Sequence, residues 1–192
     1  MPLPTASNLP SPEPGLDECS TENLTVVNPG QLTVAFPATR QAPFLVGDKP
    51  TVGEGFEAAL TYAIAAELGF RRMQVSWVTL PARSGDDRGK PEQAGWDPES
   101  TRADFVIGSP QPTTGGNLEE GVRLDASDPY LVVGDETYAL LFRSGNPLVT
   151  CVNGALAEIQ GAGELTALAD EWLTGSEVSD ASVPDGTLPQ PA

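Results

Sequence analysis

The chemistry open to this chain is limited first by a residue it lacks. Its 192 residues include no histidine, which removes the commonest proton shuttle. Neither a Ser/His/Asp nor a Cys/His nucleophile system can be assembled. The two cysteines, Cys19 and Cys151, are too few for a zinc site when no histidine can join them. They are free core thiols or one disulfide, and a disulfide requires an oxidising compartment. No G-x-S-x-G, Walker A or H-E-x-x-H pattern occurs. Gly53-Glu-Gly-Phe56 is not a dinucleotide fingerprint, because the third glycine and the strand directly before it are missing. Paired carboxylates are the catalytic device that remains, and 27 acidic residues make chance pairs common. The chain therefore reads as a non-enzyme with no cofactor and no metal.

Those 27 acids face only 10 basic residues, a formal net charge of −17. No basic stripe exists to neutralise phosphates, so nucleic acid is excluded as a partner, and anionic membrane surfaces are disfavoured. The acidity reads as solubility outside a cell. No clustered D-x-D loop of the calcium type is present. No apolar run approaches the ~18 residues that would suggest a membrane span. The start, Met1-Pro-Leu-Pro-Thr-Ala-Ser7, has neither the basic region nor the apolar core of a signal peptide.

The elements that must position any site lie between two stretches of low apolar content. Residues 1–18, rich in Pro, Ser and Glu, read as a flexible leader, and 175–192 as a disordered tail. The span 19–174 is then a single α/β domain. Gln31–Phe36 reads as a buried strand after Pro29-Gly30. A helix is expected over 54–68, with Phe56, Leu60, Ala63, Ile64 and Leu68 on one face and Gly69 as its stop. Strands follow at 73–80 and 103–107, separated by a long polar loop at 81–101. A short strand at 122–124 and a clearer one at 136–143 lead to helices over 147–160 and 164–173. Pro147 opens the first of these, and Gly161 and Gly163 break it. This order implies an α/β sheet that is at least partly parallel.

A set of short segments in fixed order resembles the type II periplasmic amino-acid-binding proteins. The matching segments are Leu32-Thr-Val-Ala35, Ala42-Pro-Phe44, Gly55-Phe-Glu57, Tyr62-Ala-Ile-Ala-Ala-Glu-Leu-Gly69 and Asp104-Phe-Val-Ile107. Leu124-Asp-Ala-Ser-Asp-Pro-Tyr130 is similar to the family's Ser-Asp-Pro-Tyr segment, and 137–147 with Ala169-Asp-Glu-Trp-Leu173 to its C-terminal return. Cys19-Ser-Thr-Glu-Asn-Leu24 and Cys151-Val-Asn-Gly-Ala-Leu156 are similar to segments of actinobacterial members. The resemblance implies a Cys19–Cys151 disulfide that pins the leader to the penultimate helix. It also implies a three-layer single lobe with a central, mostly parallel sheet of about five strands. Its ligand rim would lie at the strand C-termini, with Phe44 as an apolar wall and Glu57, Ser109 and Thr113 as polar contacts. Read alone, Phe44 is a packing residue and Glu57 an acid favouring a helix N-terminus.

Two departures shape the functional expectation. The family inserts a second lobe between the Ser-Asp-Pro-Tyr segment and the return, whereas here only Leu131–Glu136 joins them, with Gly134-Asp135 as a hairpin turn. The family also places a carboxylate-binding arginine on the ligand loop, and the corresponding position here is Glu120. A carboxylate at that place repels an amino-acid carboxylate. The expectation is an extracellular or cell-envelope binding module, secreted or lipid-anchored as a precursor, with weak or altered binding of a small solute such as an amino acid. The alternative is a protein-interaction, structural or isolated engineered lobe that has lost its pocket. Its partner would be another chain or a second copy of itself.

Overall fold

The computed structural model describes residues 18–47, 50–80, 102–109, 124–174 and 181–184. Six strands form one sheet: β1 (Leu32–Pro37), β2 (Val75–Leu80), β3 (Phe105–Val106), β4 (Leu124–Val133), β5 (Glu136–Arg143) and β6 (Ala181–Ser182), in the order β2-β1-β3-β5-β4-β6. Strands β2 and β3 flank β1 in parallel, whereas β3–β5, β4–β5 and β4–β6 are antiparallel. The sheet is thus mixed, with six strands among the described residues. Its parallel part arises because β1 reaches β2 through helix α1 (Phe56–Glu67), the kind of crossover that parallel pairing needs.

Alternation along β1 divides the core. Leu32, Val34 and Phe36 face helices α1, α2 (Leu148–Gly161) and α3 (Glu164–Trp172), and pack with Phe105, Ile107, Leu140 and Phe142 in one large cluster. Ala35 faces the other way and joins Leu80, Val106 and Leu141 in a small cluster. All three helices contribute to the first cluster alone. The described residues therefore supply two of the three layers that the resemblance implies. Phe56 is fully buried at the start of α1, a burial worth about 1.5–3 kcal/mol.

Local chemistry explains where the sequence reading and the structure differ. The stretch 122–124 was expected to hold only a short strand, yet β4 runs for ten residues. Ser127-Asp128-Pro129 looks like a turn in sequence, but it is a bulge within β4, with register shifts on either side of Pro129. Proline cannot donate to a ladder, so the irregularity falls there. The Ser127 hydroxyl repairs part of the gap by accepting the Leu140 N–H at 2.9 Å. Val133 pairs with Glu136 across Gly134-Asp135, and Gly134 takes φ 56° as the first turn residue. Ala181–Ser182, within the stretch read from composition as a disordered tail, instead adds β6 beside β4, and Ala181 and Val183 pack against the main core.

Cys19 and Cys151 form a disulfide, with Cα atoms 5.4 Å apart. It ties the segment before β1 to α2 across 132 residues of sequence. On a chain-entropy account, closing a loop of that length stabilises the fold by about 5 kcal/mol. From the pinned segment the Val27 N–H donates to Asp104 Oδ1 at 2.7 Å, and from β1 the Thr33 N–H donates to Oδ2 at 2.7 Å.

Candidate functional site

The C-terminal ends of β1 and β3 meet the N-terminus of α1 at one rim of the sheet. The loop after β1 is stapled to that helix. Phe56 N–H donates to the Pro43 carbonyl and Glu57 N–H to the Phe44 carbonyl, both at 2.9 Å. These bonds satisfy donors that a helix start leaves open. Gly55 permits the close approach, because it takes φ 104° and a Cβ there would overlap the Phe44 carbonyl. The staple fixes the loop residue Arg40 opposite the helix residue Glu57.

Glu57 is fully buried. Arg40 Nε donates to its Oε2 at 2.8 Å and Arg40 Nη2 to its Oε1 at 2.6 Å, a bidentate pair. The Tyr130 hydroxyl donates to Oε1 at 2.9 Å and accepts the Gly108 N–H at 3.1 Å. The Arg40 guanidinium carbon lies 3.7 Å from the Phe44 ring centroid and 4.7 Å from that of Tyr138, so two aromatic faces hold the cation. The Tyr138 hydroxyl donates to Glu136 Oε2 at 2.9 Å. At Gly108 (φ 86°) a Cβ would lie 3.0 Å from Glu57 Oε2 and 3.3 Å from Arg40, so the backbone itself closes one side.

Burial works to lower the Arg40 pKa, but the Glu57 charge and hydrogen bonds outweigh it and hold the guanidinium above its ordinary value. Burial pushes the Tyr130 phenol well above its usual range, and the Glu57 charge adds to that, with Arg40 opposing. Tyr130 therefore stays a neutral donor at physiological pH. Burial also raises Tyr138, against the influence of Arg40. The arrangement holds a charge-paired, hydrogen-bonded carboxylate against a guanidinium that lies between two aromatic faces. Among the described residues no group of three His, Cys, Asp or Glu side chains converges as a metal site.

Of the residues named from the sequence, Phe44 and Glu57 meet here through Arg40, and Ser109 follows Gly108 in the chain. Phe44 lies under Arg40, Glu57 sits at the centre, and Ser109 is buried next to Gly108 at the end of β3. Thr113 and Glu120 fall outside the described residues. Sequence reasoning did not single out Arg40, Tyr138 or Gly108 for this site. An arginine in a proline-flanked loop carries no local signal. A chain with few cations and an acid at a helix start did offer a reason to search for the acid's partner. Glu57 is more than a helix-dipole acid, because it is fully buried and charge-paired.

The opposite end of the same strands holds a cavity of about 410 Å³, lined by residues that include Thr25, Val27, Arg102, Asp104, Arg143 and Pro147. Asp104 is 2% exposed there, and burial raises its pKa despite the two backbone N–H groups it accepts.

No family model matches the chain, and no curated protein matches it. Solved structures do resemble it. The GluR0 ligand-binding core from Nostoc punctiforme, in complex with (L)-glutamate, matches with a TM-score of 0.50 at 12% identity, covering 73% of this chain and 98% of that one. A mutant of ArgBP from T. maritima matches at 0.52 and 15%, covering 76% and 96%. An ABC uptake transporter substrate-binding protein from Streptococcus pneumoniae with bound histidine matches at 0.51 and 12%, covering 78% and 94%. At such identities the likeness establishes the fold alone. The chain has the mixed α/β architecture of a solute-binding-protein lobe.

Proposed function

We propose that the chain is an extracytoplasmic, non-enzymatic binding module that meets a small solute at the Arg40–Glu57 rim, with weak or altered binding. What supports this reading is the buried Arg40–Glu57 pair beside Phe44 at the C-terminal edge of the sheet, where open α/β sheets bind ligands. The glutamate and histidine bound in two of the structural neighbours support a small polar solute. The disulfide supports an oxidising compartment.

A second reading has its own observation. Glu57 is already saturated by Arg40 and Tyr130. A lobe that kept its scaffold and closed its pocket would look like this, and its face would meet another protein chain. A thermal-shift screen of the oxidised protein against amino acids and small cations, with size-exclusion of the same sample, separates the two. A solute at one hundred times its dissociation constant adds about 2.7 kcal/mol of stability. A clear shift supports solute binding. No shift together with a dimer or larger species supports the interaction module.

A further inference from the structure

The rim cluster has the composition of a recognition site for a planar cation. It offers one fully buried carboxylate, presented bidentately, and two aromatic faces at 3.7 and 4.7 Å. The Tyr130 hydroxyl steadies the carboxylate from behind. The Arg40 guanidinium that fills this cage comes from a surface loop, and its side chain retains 13% exposure. That exposed edge is the side from which it would leave toward solvent. Glu57, by contrast, lies on a stapled helix and cannot follow it.

We propose that Glu57, Phe44 and Tyr138 form a guanidinium-binding site occupied in cis by Arg40, and that a solute bearing a guanidinium group enters only by displacing that side chain. The proposal rests on the rim being the solute site and adds the solute's chemical class. It also gives a reason for weak binding. A tethered competitor acts at an effective concentration in the millimolar range, and apparent affinity falls by the fraction of molecules whose cage is open.

The test uses the full disulfide-bonded chain and methylguanidinium chloride, with methylammonium chloride and sodium chloride at equal concentration as controls. Arg40→Ala should gain thermal stability from methylguanidinium, about 5–10 °C at one hundred times the dissociation constant, and gain nothing comparable from either control. Wild type should gain little at the same concentrations, and R40A with E57Q should gain nothing. If Arg40→Ala does not fold alone, the readout is its refolding yield, which methylguanidinium should raise and methylammonium should not. An equal response to all three salts overturns the proposal, as does a wild type that answers as strongly as the variant. An R40A that answers methylguanidinium, beside a wild type that no solute in the screen shifts, keeps the cis occupancy and removes the solute-binding reading. A wild type that binds an amino acid, beside an R40A blind to methylguanidinium, does the reverse.

Discussion

Glu57 and Asp104 sit at opposite ends of β1 and β3, each almost without exposure, and the fold neutralises them by different means. Glu57 receives a full guanidinium charge from a distant loop, with a phenol behind it. Among the described residues Asp104 receives two backbone N–H groups, from Val27 in the segment pinned by the disulfide and from Thr33 in β1. At Asp104 the two backbone dipoles leave burial the larger influence, and its pKa rises. One end of the sheet is thus a locked ion pair that invites exchange with another cation. The other is a structural clasp beside a cavity.

The largest effect should come from breaking the ion pair. Arg40→Ala leaves the fully buried Glu57 carboxylate without its charge partner and should cost about 3–5 kcal/mol in urea unfolding. Replacing both partners with apolar residues of similar volume should cost far less. If the double replacement costs as much as the single one, the rim is not held by charge compensation.

Loss of the covalent clasp comes next. Cys19→Ser with Cys151→Ser should cost about 2–5 kcal/mol. Native-state amide exchange should then show Val27 N–H losing protection while Glu57 N–H keeps it. Equal loss at both ends would erase the distinction between them.

Tyr130→Phe removes the hydroxyl that links Gly108 to Glu57 and should cost about 1–3 kcal/mol. A cost near zero would mean that Arg40 alone satisfies the carboxylate.

The smallest effect is a slope in pH. The folded pKa of Asp104 lies above its ordinary value of 3.8, so the folded state holds this proton more tightly than the unfolded state. Its contribution is fully present below about pH 4 and is lost as pH rises through the folded value. Asp104→Asn should be less stable than wild type in acid, since an amide accepts through one oxygen only. That gap should narrow toward neutral pH, and a gap that widens instead would contradict the assignment.

How much of this was legible in sequence depended on the kind of signal. Helix α1 carried its own period in Phe56, Leu60 and Ile64, and the structure places it within a residue or two of expectation. The Gly134-Asp135 hairpin was readable from two residues. Strand β4 was not, because Ser127-Asp128-Pro129 has turn chemistry and only the neighbouring β5 makes it a bulge. Strand β6 hid in a Ser/Asp/Pro-rich stretch whose apolar residues find partners only through tertiary contact. At the site, Phe44, Glu57 and Ser109 came from family resemblance. Arg40 escaped because its role depends on a loop crossing to a helix 17 residues later, and no local pattern encodes that meeting.

The most direct test of the account watches the Arg40 side chain itself, in an ¹H–¹⁵N spectrum of the arginine Nε–H groups recorded during titration with agmatine. The Nε–H bonded to Glu57 between two rings should be one slowly exchanging signal with a ring-current shift, and agmatine should return it toward the position of exposed arginines. A spectrum in which Arg40 already resembles an exposed arginine before any solute is added would contradict the occupied cage.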